Sequence, residues 1–111
     1  MTDQHPLARL DETVHQRVRL GILAVLAERT DADFTYLRRV LGLTDGNLGR
    51  HLEVLVTSGL VDLRRGYDGR RSRTWARITD AGRRSLVAEV DLLRSIAALV
   101  EPHNQDYDGN D

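Results

Sequence analysis

A single residue, Leu43, separates Gly42 from Thr44, and an apolar-periodic segment lies on each side of this short break. Glycine commonly ends a helix in the left-handed conformation, and threonine commonly starts one by accepting a backbone N–H. Two helices joined by so short a turn cannot continue one another. They must cross and pack, which is the geometry of a helix-turn-helix.

The flanking segments supply the two helices. Asp33 is a candidate N-cap for FTYLRRVLG, with Phe34, Leu37 and Leu41 on its apolar side. The next helix is expected from Asp45 to Ser58, closed by Gly59, with Leu48, Leu52 and Leu55 facing inward and Gly46, Arg50, Glu53 and Val54 pointing away. Upstream, residues 16–29 read as the first main helix, with Val18, Ile22, Val25 and Leu26 on one face. Residues 7–13 read as a short opening helix after Pro6.

Downstream the period changes from helical to alternating. Leu60–Arg65 reads as a strand, Gly66–Gly69 as a turn and Arg73–Ile78 as the returning strand, with Trp75 packing the hairpin on the helices. Thr79 caps a long final helix, about 80–100, and residues 102–111 are expected to be a disordered tail. The fold class is mainly α with a small β-hairpin. It comprises one domain over residues 1–101, with a reading helix at 44–58, a hairpin wing at 61–78 and a dimerisation helix at 80–100.

Charge distribution points to a partner. The chain has 111 residues, a formal net charge of -1 and no lysine, so all sixteen basic residues are arginine. Six of them (64, 65, 70, 71, 73 and 77) fall within the hairpin. Residues 44–84 carry nine arginines against five acids, whereas residues 85–111 carry one arginine against six acids. A near-neutral chain that gathers guanidinium groups on one hairpin has built a local site for a polyanion, here double-stranded DNA.

The helix at 44–58 is the candidate reader, because the first residues of the second helix of such a pair approach base edges in the major groove. Those residues are Thr44, Asp45, Gly46, Asn47 and Arg50. Arginine can bond guanine bidentately and asparagine adenine, and the glycines leave room for close approach. Asp45 either stabilises the helix start or accepts from cytosine. In the wing, Arg64, Arg70, Arg71 and Arg73 are the candidate DNA contacts, with those near the turn best placed. Arg77 is expected to pair with an acid.

Leu86, Val90, Leu93, Ala97 and Val100 follow 4-3-4-3 spacing in the last helix, with Leu92, Ile96 and Leu99 as a parallel row. One row can cover the domain and the other needs a partner. A two-fold homodimer through Leu86, Val90, Leu93, Ala97 and Val100 is the simplest solution.

Absences narrow the function further. There is no cysteine, hence no disulfide or thiolate metal site. His5, His15, His51 and His103 lack metal-ligand spacing, and His51 is expected to pack or hydrogen-bond on the flank of its helix. No cofactor is implied. No paired carboxylates, nucleophile elbow or glycine-rich phosphate loop suggests an enzyme. No apolar run is long enough for a membrane span and no signal-peptide core is visible, so a cytoplasmic location is expected.

The stretch LDETVHQRVRLGILAVLAE followed by FTYLRRVLGLTDGNLGRHLEVLVTSGLVDLRRGYDGRRSRTWARITDAGRRSL resembles the single-domain winged-helix transcriptional regulators of the MarR/ArsR-like class. The resemblance spans about residues 10–86. It implies a dimer on operator DNA, with the helix at 44–58 in the major groove and the hairpin at 61–78 as wing. The expected function is a homodimeric regulator, a repressor, on a near-palindromic operator. A winged helix used only for protein contacts is the alternative. The residues point to no particular effector.

Overall fold

The computed structural model describes residues 4–102. After a 3₁₀ turn at Pro6–Arg9 come α1 (Glu12–His15), α2 (Arg17–Glu28), β1 (Ala32–Asp33), α3 (Phe34–Leu41) and α4 (Asp45–Thr57). Strands β2 (Val61–Asp68) and β3 (Arg71–Ile78) and the 21-residue α5 (Asp80–Val100) complete the chain. The expected opening helix is instead split in two. Leu10 is extended, and Asp11 caps a new helix by accepting from the Thr13 N–H. Of the expected tail, residues 103–111 lie outside the described residues.

Local chemistry sets the helix ends. Asp33, Thr44 and Thr79 each accept, through a side-chain oxygen, the N–H three residues on, which satisfies one orphan donor per helix. Helices α3 and α4 both stop on a left-handed glycine, Gly42 (φ 65°) and Gly59 (φ 77°). At each stop the glycine N–H and the next N–H donate back to carbonyls of the last turn: Gly42 to Arg39 and Leu43 to Arg38, then Gly59 to Val56 and Leu60 to Leu55. These are Schellman closures. They explain why α3 and α4 can follow so closely with their backbone groups satisfied.

One apolar core joins all the helices to the sheet. Ile22, Leu23, Leu26, Leu37, Leu48 and Leu55 are fully buried within it, and Val14, Val61, Ile78 and Leu86 extend it to α1, the hairpin and α5. The sheet is antiparallel in the order β1-β3-β2.

The hairpin register departs from the sequence expectation. Asp68 pairs with Arg71, so the connection is the two residues Gly69 and Arg70, with Gly69 at φ 68°, and not Gly66–Gly69. Gly66 lies inside β2 opposite Arg73. A Cβ there would stand 3.1 Å from the Trp75 ring, so the glycine makes room for the indole rather than for a turn.

Trp75 is also placed differently from the expectation. Ala76 and Ile78 are the buried residues of β3, and strand alternation sends Trp75 to the opposite face, outside the core. Small Ala76, paired with Ala32 of β1, fills the tight space under the helices.

Helix α5 lays Gly82, Leu86 and Glu89 against its own domain. Leu86 is only 8% exposed, and Val90 packs on the same core. Leu86 is thus engaged within its own subunit, and Val90 in part. Glu89, counted among the solvated acids by sequence, is 1% exposed. Its Oε1 accepts the Asp11 N–H at 3.2 Å, and His15 Nδ1 lies 2.9 Å from Oε2.

Candidate nucleic-acid interface

The start of α4 is presented outward. Thr44, Asp45, Gly46 and Arg50 are exposed and Asn47 is half-buried, while Leu48, Leu52 and Leu55 hold the opposite face in the core. Arg50 Nη2 donates to Asn47 Oδ1 at 3.0 Å, so the two candidate base readers already form one polar pair. Asp45 accepts from Arg38 Nη1 at 2.9 Å, across the turn from α3. That contact accounts for a carboxylate at the tip of a reading helix. The sequence analysis missed Arg38, although opposite charges flanking a tight turn are a usable signal.

Gly46 and Gly49 carry information of their own. A Cβ at either would meet no atom within 4 Å. Packing inside the subunit therefore does not require glycine at these sites, and each glycine costs its helix about 1 kcal/mol relative to alanine.

His51, on the flank of α4, is held by the N-terminal region. Arg19 Nη1 lies 3.2 Å from its Nδ1, and the same guanidinium donates through Nε to the Thr13 carbonyl at 2.6 Å. Burial, and then the charges of Arg19 and Arg50, lower the His51 pKa from the usual histidine value. The neutral ring with Nδ1 as acceptor suits a guanidinium donor.

Arg65 is exposed on β2, and the other five wing arginines divide into two groups. Arg70 and Arg71 sit at the tip, exposed, and form no ion pair among the described residues. Arg73 is tied inward, 2.5 Å from Asp33 Oδ2 and 3.3 Å from Asp68 Oδ2. Arg64 lies over the Trp75 ring at 4.4 Å, a cation–π contact across the strands. Arg77 pairs with Asp31 at 3.3 Å. The outer sheet face is thus cross-linked, with two free guanidinium groups at its end.

On α5, Leu93 is half-buried, Ala97 is exposed, and Leu99 and Val100 are 60% and 78% exposed. Leu7 of the 3₁₀ turn, which packs beside α5, is also exposed. Among the described residues no group of three or more His, Cys, Asp or Glu could hold a metal ion. None of the described helices is long and apolar enough to cross a membrane.

A tri-helical core, a helix-turn-helix whose second helix is turned outward, and a following antiparallel hairpin together define a winged helix. The chain belongs to the winged helix DNA-binding domain family, whose model matches residues 18–97. An uncharacterised protein of Methanocaldococcus jannaschii is 41% identical over 66 residues, 60% of this chain and 72% of that one. A transcriptional regulator homologue from Pyrococcus horikoshii superposes with a TM-score of 0.82 at 31% identity, covering 89% of this chain and all of that one. The Mycobacterium tuberculosis transcriptional regulator MosR, solved in complex with DNA, gives 0.67 at 28% identity, over 82% of this chain and 65% of MosR. The structural neighbours are MarR-like transcriptional regulators, as the sequence resemblance implied.

Proposed function

We propose that the chain is a sequence-specific DNA-binding transcriptional regulator that acts as a homodimer on a near-palindromic operator. The observation that carries this reading is the outward start of α4. It combines an Asn47–Arg50 pair with two glycines that internal packing does not call for. Such a surface is free for a close external approach, and the two side chains match the donor and acceptor edges of adenine and guanine. Thr44, Asp45 and Gly46 form its leading edge, and Asp45 is kept from repelling phosphate by Arg38.

The wing supplies affinity. Arg70 and Arg71 at its tip contact backbone phosphates or the minor groove, while Arg64 and Arg73 hold the wing's shape through Trp75 and Asp33. Two subunits related by a two-fold axis would set their α4 helices about one turn of DNA apart, ~34 Å. A dimer covering that length of promoter would block access, which makes repression the expected sign. The solved DNA complex of MosR supports a DNA partner, and the cytoplasm is where such a partner is found.

The test is binding of the full chain to genomic fragments at several salt concentrations, followed by selection from a random duplex library. Affinity should fall steeply with salt, and the selected sites should be two-fold symmetric. No binding, or binding insensitive to salt, overturns the reading.

A further inference from the structure

A cleft of about 600 Å³ opens between β1, α3 and the outer flank of β3, with no α4 residue in its lining. Four arginines line it, Arg29, Arg39, Arg71 and Arg73, against two acids, Asp31 and Asp33. Both acids are already engaged. Asp33 accepts from the Tyr36 N–H and pairs with Arg73, and Asp31 pairs with Arg77. Arg29, Arg39 and Arg71 pair with no carboxylate among the described residues.

Arg29 and Arg39 are gathered on one ring. Their guanidinium carbons lie 4.3 and 5.6 Å from the centroid of Tyr36. Two like charges brought to one aromatic ring repel each other, and the ring's π-cloud offsets part of that cost. An anion between them would reverse the sign of that interaction.

We propose that this cleft binds a small molecule carrying a phosphate or polyphosphate group. Three guanidinium forks from different elements that line one cleft suit a tetrahedral anion with several acceptor oxygens better than a single planar carboxylate. At about 600 Å³ the cleft leaves room beside a phosphate for the rest of a small organic molecule. Arg71 serves both this cleft and the wing tip. The ligand therefore competes with DNA for Arg71, a consequence that rests on the DNA reading above.

Trp75 lines the cleft and is the chain's one tryptophan, so its fluorescence reports on occupancy. The full chain is titrated with tripolyphosphate at constant ionic strength. A saturable change is expected, weakened at least tenfold in Arg29→Gln/Arg39→Gln and less than twofold in Arg70→Gln, which does not line the cleft. If the double variant loses its circular dichroism, Arg71→Gln replaces it, because Arg71 is exposed and forms no ion pair among the described residues; at least threefold weakening is expected. A signal that never saturates, or equal binding by the cleft variants, overturns the proposal. So does a double variant that loses duplex affinity when tripolyphosphate gives no saturable signal, for then the cleft holds DNA backbone. Saturable tripolyphosphate binding without any duplex binding supports the cleft and refutes the DNA reading instead.

Discussion

Gly82 shows how a single residue carries the junction of three elements. A Cβ on it would fall 2.1 Å from the Leu60 carbonyl oxygen, a backbone atom that cannot swing aside. The same carbonyl accepts the Thr79 N–H at 3.0 Å, and Thr79 Oγ1 donates to the Gly59 carbonyl at 2.7 Å. Gly82→Ala should therefore force α5 off the end of α4 and destabilise the fold by about 3 kcal/mol, read as a lower urea midpoint. A stability within 0.5 kcal/mol of the parent, on the order of a neutral surface change, would contradict the close approach. His51 makes a pH prediction. Its folded pKa is lowered, so the unfolded chain binds the proton first as pH falls. Its contribution to stability is full above the ordinary histidine range and is lost as pH falls through the lowered folded value. The stability gap between the parent and His51→Gln should shrink between pH 7.5 and pH 5. A gap that widens on acidification would reverse the assigned protonation state.

The element scale separates reading from gripping. Helix α4 and the wing carry different chemistry, so their variants should fail differently. Arg70→Ala with Arg71→Ala should weaken binding to every duplex and flatten the salt dependence by about two phosphate contacts. Asn47→Ala or Arg50→Ala should cost about 1–3 kcal/mol at preferred sites and little at random ones. Competition assays on selected and scrambled duplexes distinguish the two patterns, and sequence-blind losses from both sets would remove α4 as reader. Sequence reasoning located both elements, because caps, glycine stops and apolar period are written within a few residues. It misjudged the hairpin's interior. Turn-forming residues are dense from Gly66 to Gly69, and only the pairing of Asp68 with Arg71 reveals which of them turn. Trp75 was misjudged in the same way, since its size suggested the core while its register placed it outside.

For the whole molecule, the proposed homodimer would be built on α5. The helix is ~32 Å long at 1.5 Å per residue, and its first half is committed to its own domain through Leu86, Glu89 and Val90. The second half leaves Leu99 and Val100 largely exposed, with Leu92, Leu93 and Ile96 half-buried beside them. This narrower set, with Ala97, is where a second copy would pack. Leu99→Glu with Val100→Glu should give a folded monomer by light scattering with unchanged circular dichroism, whereas Leu86→Glu should unfold the chain. If the parent chain proves dimeric, a double variant that keeps its mass would refute an interface on the end of α5.

What the sequence alone determined was local in origin. Thr44, Gly42 and Asp33 specify helix ends through hydrogen bonds that reach three to five residues, so the helix-turn-helix and its outward face are legible without any partner segment. The concentration of arginine on one hairpin is legible in the same way. Only the tertiary structure decided which arginines are free. Arg73 is bound by Asp33, 40 positions away, and Arg38 by Asp45 across the turn. Glu89 was removed from the acidic surface by Asp11, 78 positions away. The Arg73 and Glu89 pairings depend on how the sheet and α5 dock on the helical core, and docking is set by the shape of the whole packed interior, which no short window of residues contains.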